Sequence, residues 1–366
     1  MRKFLFVLLL CGCASVPTHT VDRSDTAPSD QVLRLTRALN DGDLALLQSV
    51  FQPSHPLAEL GPSFANEANW HALSREWMAD LLLHSQYGHW NLRHVRPLSA
   101  GGDRVEYRLV HEDYSVEYFY FDLVTQAGGL KIDDMGNRLF VLSQVGLMEA
   151  LYRRLILPPN MEDLVFAEFF TQLGPFNRGE ISLETLLSDY LALSESLQRD
   201  GLTRDLLLRA LMAQGGNWSS LMPPLSASRL VGTDYPLLDA TLCLQQLAKD
   251  CDREFQRLPE DLKQDIALQA EMGIRALQRH DISRARRFAA LALVNDTDYF
   301  PAYWLQMQLG IVSGDHQIAV DGLDSLVQRF DVPIDKQMLL QLYPEQGQAF
   351  LQSAQFRRWA EQFPEE

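Results

Sequence analysis

Near the carboxyl end of the chain, His280, Asp281 and Ala285 return 34 residues later as Gly314, Asp315 and Ala319. A fixed period of this length marks stacked supersecondary units, each needing its neighbour to bury an apolar face. The residue types fit that reading physically. A tight turn takes a small or turn-favouring residue beside Asp, and an alanine four positions on lets two antiparallel helices approach closely. The spacing predicts helical hairpins over about residues 266–333, under a fifth of the chain. Nothing before residue 260 keeps the register. Leu339, Leu342, Phe350, Phe356, Trp359 and Phe363 follow at helical intervals, as a terminal cap does.

The 366 residues, 46% apolar and 22% charged, suffice for two or three cores at roughly 100–200 residues each. That excludes a disordered or collagen-like chain. Its 32 basic and 48 acidic side chains leave a formal charge of −16, so a phosphate backbone is repelled and nucleic-acid binding is set aside.

Upstream, Val32, Leu33, Leu35, Leu39, Leu44, Leu47 and Phe51 recur near helical spacing, with a turn over residues 40–43. Leu73, Trp77, Leu81 and Leu82 mark a further helix over about residues 70–85. The period then falls to two. Residues 104–110 set Val105, Tyr107 and Leu109 against Arg104, Glu106 and Arg108, a strand with one wet face. Residues 116–123 carry apolar groups on both faces and read as a central strand. With residues 90–98 and 130–133 they predict a four-stranded antiparallel meander behind helices, an α+β layer architecture. Beyond Pro158 and Pro159 the chain reads as helices over residues 164–173, 183–197, 202–213, 237–249 and 259–279. Gly174, Pro175, Gly179, Gly215, Gly216, Pro223 and Pro224 break them, and residues 215–236 read as an exposed loop.

At the amino end, Arg2 and Lys3 precede seven apolar residues, Phe4 to Leu10, the pattern of a secretory signal and far short of the ~20 residues that span a bilayer. Pro17, Pro28 and several hydroxyl residues then make a tether. Of the four cysteines, Cys243 and Cys251 lie furthest along. On one continuous helix they stand about 12 Å apart, beyond the reach of a disulfide, so two buried thiols are expected unless the helix breaks near Lys249 and Asp250.

The chain lacks G-x-S-x-G, H-E-x-x-H, a phosphate-binding P-loop, S-x-x-K and C-x-x-C. His84, His89, His94, His111, Tyr118, Tyr120 and Asp122 are the titratable candidates in the first half. Asp122 shares a strand face with Tyr118 and Tyr120, and in a dry pocket burial raises its pKa and makes it a base. The simpler reading has Asp122 facing water. The histidines lack ligand spacing, so no metal and no cofactor is expected.

Three resemblances add to this. Leu10, Cys11, Gly12 and Cys13 resemble the lipobox of bacterial lipoproteins, with Cys13 as the lipid-bearing residue and Ala14 implying the outer membrane; an ordinary secretory signal cleaved nearby is the alternative. Residues 30–157, ending in Gly129, Leu130, Lys131, Ile132, Asp133 and Asp134, resemble the NTF2-like (SnoaL-like) α+β fold, some of whose families hold a small molecule inside the cone. The 34-residue echo resembles tetratricopeptide repeats. In that register Gly273, Asp281, Ala285, Ala292 and Asp296 fill one copy and Tyr303, Gly314, Asp315 and Ala319 the next, with Thr297, Met307, Leu326 and Asp331 as departures. Together these imply a signal peptide over residues 1–12, a tether over 13–29, an NTF2-like domain over 30–157, connecting helices over 158–260 and a repeat-like domain over 261–366. The implied role is a non-catalytic, palmitate-bearing scaffold on the periplasmic face of the outer membrane, with an envelope protein or peptide as partner. The alternative is a small apolar ligand bound or transformed in the first domain.

Overall fold

A computed structural model describes residues 29–53, 67–99, 101–126, 129–156, 160–213, 235–244, 251–295, 299–332 and 336–362. Cys13, the tether up to residue 28, most of the expected 215–236 loop, Lys249, Asp250, Asp296, Thr297 and Phe363 lie outside the described residues.

The chain opens with helices α1 (Asp30–Asp41), α2 (Leu44–Val50) and α3 (Glu67–His84). The Ser29 hydroxyl accepts from the Val32 amide to cap α1, Gly42 closes it in the left-handed region at φ 65°, and the Asp43 carboxylate caps α2. The sheet follows as β1 (His89–Pro97), β2 (Asp103–Val110), β3 (Val116–Gln126) and β4 (Gly129–Asn137), an antiparallel meander in the order β1-β2-β3-β4. Val105, Tyr107, Leu109, Phe119, Phe121 and Ile132 turn one face toward Leu35, Leu39, Trp77 and Met78, all buried. Trp90 fills the centre, its ring 5.1 Å from Phe119 and 6.1 Å from Tyr107.

Each border of this sheet is engaged at one point. On β1 the Asn40 side chain acts as a short partner strand, donating to the Trp90 carbonyl at 3.0 Å and accepting from the Trp90 amide at 2.8 Å. On β4, Phe51 forms a parallel bridge to Ile132, and the Gln52 amide donates to the Ile132 carbonyl at 3.1 Å.

The face expected to be wet is so only at Arg104, whose side chain is 38% exposed. Glu106 is 6% and Arg108 0% exposed, because helices of the second half cover that side. Alternation in a sequence cannot distinguish water from a charged partner. After β4 come α4 (Gln144–Ile156), α5 (Met161–Asn177), α6 (Leu183–Ala192), α7 (Glu195–Arg199) and α8 (Gly201–Ala213), then α9 (Pro236–Leu244), α10 (Asp252–Gln256), α11 (Glu260–Lys263) and α12 (Ile266–Gln278). Helix α5 runs through Gly174 and Pro175, where a break is predicted, because Leu173 and Phe176 on either side anchor it in the core. The described part of α9 ends at Leu244, and Cys243 and Cys251, 5.7 Å apart at Cα, form a disulfide. The two expected thiols are therefore corrected: one continuous helix does not join them, since Cys251 stands at the start of α10.

Asp265 joins the halves. It caps α12 by accepting from the Ala267 amide at 2.9 Å, and it takes the Tyr118 hydroxyl at 2.8 Å and the Arg108 guanidinium at 3.2 Å from the sheet. Arg93, the extra residue of a bulge in β1, approaches the same carboxylate at 3.1 Å. A second tier sets Arg96 and Arg138 against Glu106 and Asp261. Beyond it, the Tyr299 hydroxyl donates to the Tyr114 carbonyl at 3.0 Å and Tyr114 stacks on Phe300.

Replacing Asp265 with Ala leaves Arg108 charged in a dry site, a loss of about 3–5 kcal/mol; urea unfolding followed by far-UV dichroism measures it. Reducing the disulfide frees a chain loop of 8 residues' separation, and the same titration then shows a loss of about 2–3 kcal/mol, with a mass gain of two hydrogens.

Candidate functional site

The titratable residues singled out in the first half do not form one pocket. Tyr118 and Asp122 are about 13 Å apart along β3. Burial and the Asp265 carboxylate push the Tyr118 phenol well above its ordinary range, so it stays a hydrogen-bond donor. Asp122 is held in a two-pronged pair with Arg104, Nε to Oδ1 at 2.7 Å and NH2 to Oδ2 at 2.8 Å. Arg104 in turn lies 4.1 Å from the Tyr120 ring. The space between sheet and α11 lined by Tyr118, His94, Glu106 and Asp265 is about 10 Å³, room for no more than one water. These groups hold the halves together and leave no volume for a substrate there.

Burial, with the charges of Arg93 and Arg96, lowers the His94 pKa below its ordinary value. His89 is exposed. His84 and His111, far apart in the sequence, meet at Glu117: Nε2 of each lies at the same Oε1, 2.5 and 3.0 Å away. Burial alone raises the Glu117 carboxyl, but hydrogen bonds from His111 and His84 and their charges hold it down at about 2. The reciprocal bond raises His84 above its ordinary value against partial burial.

The repeat positions fall in the seams of paired helices. Helix α12 pairs with α13 (Ile282–Asn295), and α14 (Phe300–Ser313) with α15 (His316–Phe330). Ala285, Ala292 and Ala319 are all 0% exposed. At Gly273 a Cβ would stand 2.3 Å from Leu305 Cδ2. Both turns are left-handed, His280 at φ 60° and Gly314 at φ 73°, and the Asp281 and Asp315 carboxylates accept from Arg284 and Ile318 amides. Tyr303 is buried beside Phe330. Two close approaches lay outside the expected register: a Cβ at Gly310 would be 2.2 Å from the Ala319 nitrogen, and one at Gly322 2.6 Å from the Met307 nitrogen. The cap packs as α16 (Lys336–Leu342), α17 (Pro344–Leu351) and α18 (Ala354–Ala360), burying Leu339, Phe350, Phe356 and Trp359, while Leu342 is 49% exposed. The Trp359 indole donates to Asp324 of α15 at 2.9 Å.

A cleft of about 260 Å³ opens on the first hairpin, lined by Cys251, Met272, Arg275, Ala276, Arg279, Asp281 and Arg284. Arg284 ion-pairs with Asp252, tying the cleft to the disulfide-bearing segment. Farther along α13, Leu291 is 41% and Val294 79% exposed, in helical register with Arg284 and Arg287. Sequence reading missed this basic and apolar stripe because the arginines are spread over two helices and a turn.

Comparison with protein-family models, with curated proteins and with solved structures found no match.

Gly310→Ala forces backbone against backbone, so it destabilises by about 1–3 kcal/mol despite alanine's better helix propensity; a lowered urea midpoint at unchanged slope is the expected readout.

Proposed function

We propose that the chain is a lipid-anchored protein of the outer membrane, facing the periplasm, whose helical half docks an envelope protein and so acts as a scaffold. In this reading residues 30–157 are an NTF2-like module and residues 261–366 a tetratricopeptide-like one. The observation that carries it lies on the first hairpin, where an arginine-lined cleft reaches Arg284 of α13 and exposed Leu291 and Val294 follow in helical register along the same helix. Apolar area beside guanidinium groups suits an amphipathic partner segment bearing carboxylates. Three arginines and one aspartate line the cleft, a local excess of positive charge in a chain of net charge −16, offset at Arg284 by Asp252. The Cys243–Cys251 disulfide supports an oxidising compartment. No helix among the described residues is long and apolar enough to cross a membrane, and a diacylated cysteine needs none, since each buried methylene contributes about 0.8 kcal/mol. The small-ligand alternative needs space on the first sheet face, which Trp90, Tyr107, Phe119 and Phe121 fill.

Palmitate labels the wild type and not Cys13→Ala; equal labelling of both ends the anchoring claim. Crosslinking in solubilised envelopes captures a specific acidic partner with the wild type, and Arg279→Glu together with Val294→Asp loses it. Failure to capture any specific partner, or equal capture by the variant, refutes docking at this surface.

A further inference from the structure

The His84, His111 and Glu117 cluster takes no part in the scaffold reading, and three elements converge to build it. His84 closes α3, His111 follows β2 directly, and Glu117 is the second residue of β3. The turn carrying His111 is held firmly: the His111 amide donates to the Ser115 carbonyl at 2.9 Å, and the Ser115 amide and hydroxyl both donate to Asp113 Oδ1, at 2.9 and 2.6 Å. The two imidazoles stand nearly perpendicular, 78° apart with centroids 5.4 Å apart, so each directs a nitrogen to one carboxylate oxygen from a different side. The other oxygen, Oε2, accepts from Asn137 Nδ2 at 2.7 Å, which fixes the carboxylate's orientation.

We propose that His84 Nε2, His111 Nε2 and a Glu117 carboxylate oxygen bind a divalent transition-metal ion of the zinc type, leaving a fourth position open to water or an exogenous ligand. The donor atoms lie within 4.8 Å of one another. Zinc takes imidazole nitrogen and carboxylate oxygen at about 2.0–2.2 Å, and a tetrahedron of that size separates its ligands by about 3.3–3.6 Å. Opening the present contacts of 2.5 and 3.0 Å by about an ångström or less therefore suffices. Access is graded: the His84 side chain is 52% exposed, His111 21% and Glu117 14%, so an ion enters past His84 onto a fixed base. Asn137 supplies the outer support typical of ligating carboxylates.

A second grouping, His94, Glu106 and Asp261, brings donors equally close. There Arg96 and Arg138 already pair with both carboxylates, and an ion must displace two guanidinium groups. At Glu117 the partners are two imidazoles and an amide, and the imidazoles are themselves ligands that give up a proton and turn from the carboxylate to the ion. The same donor chemistry thus favours a cation at one cluster and excludes it at the other.

The test uses the untagged full chain, stripped with chelator and titrated with Co²⁺ as the probe, then with Zn²⁺ in competition. The wild type takes up one Co²⁺ with the visible absorption of low-coordinate cobalt, and Zn²⁺ abolishes it. His84→Ala, at a half-exposed position that preserves the dichroism spectrum, loses the absorption and weakens Zn²⁺ binding by more than about 100-fold, beyond the usual effect of losing an outer-shell partner. His111→Ala behaves alike and His89→Ala binds as the wild type does. Absence of cobalt uptake by the wild type, or an unchanged spectrum and affinity in His84→Ala, overturns the proposal.

Discussion

One buried carboxylate organises this molecule. Asp265 caps a helix of the second half while taking the cation of Arg108, the hydroxyl of Tyr118 and the approach of Arg93 from the sheet. With Arg108 wholly excluded from water, that charge is tolerable only opposite a fixed anion. The geometry has several partners at once, so helix α12 cannot rotate or slide on the sheet without leaving a charged or polar group unpaired. Apolar packing pulls the halves together without regard to angle; the ionic contacts choose the angle.

That choice bears on the proposed docking surface. Helix α12 begins at Asp265 and, through its turn at His280, presents α13, so the arginine cleft inherits its orientation from the sheet. The disulfide segment braces the cleft from the other side through Asp252 and Arg284. Farther on, the two helices of the second hairpin close on each other where Gly310 faces Ala319 and Gly322 faces Met307, and the first hairpin meets the second where Gly273 leaves room for Leu305.

Much of this architecture is legible from residue pattern alone. Alternation at Val105, Tyr107 and Leu109, with glycine or polar turns beside it, marks the meander because strand periodicity is a local property. The 34-residue echo finds the hairpins because turn and seam chemistry repeat. What escaped is the long-range part. Glu106 and Arg108 look like part of a solvated face until Asp261 and Asp265, more than a hundred residues on, bring their helices over it. Helix α4 went unassigned between the sheet and Pro158. The Cys243 to Cys251 bond depended on where a helix stops, and His84 meets His111 only because α3 ends against the turn after β2. Asp265 is readable as a helix cap, not as a bridge.

The contacts made at each border of the sheet have a corollary for assembly. An amide from Asn40 on one margin and a backbone bridge from Phe51 on the other occupy the bonding sites at Trp90 and Ile132 that a neighbouring copy's backbone would need. Crowded at high local density, such molecules are hindered from growing into ribbons by lateral addition at those points.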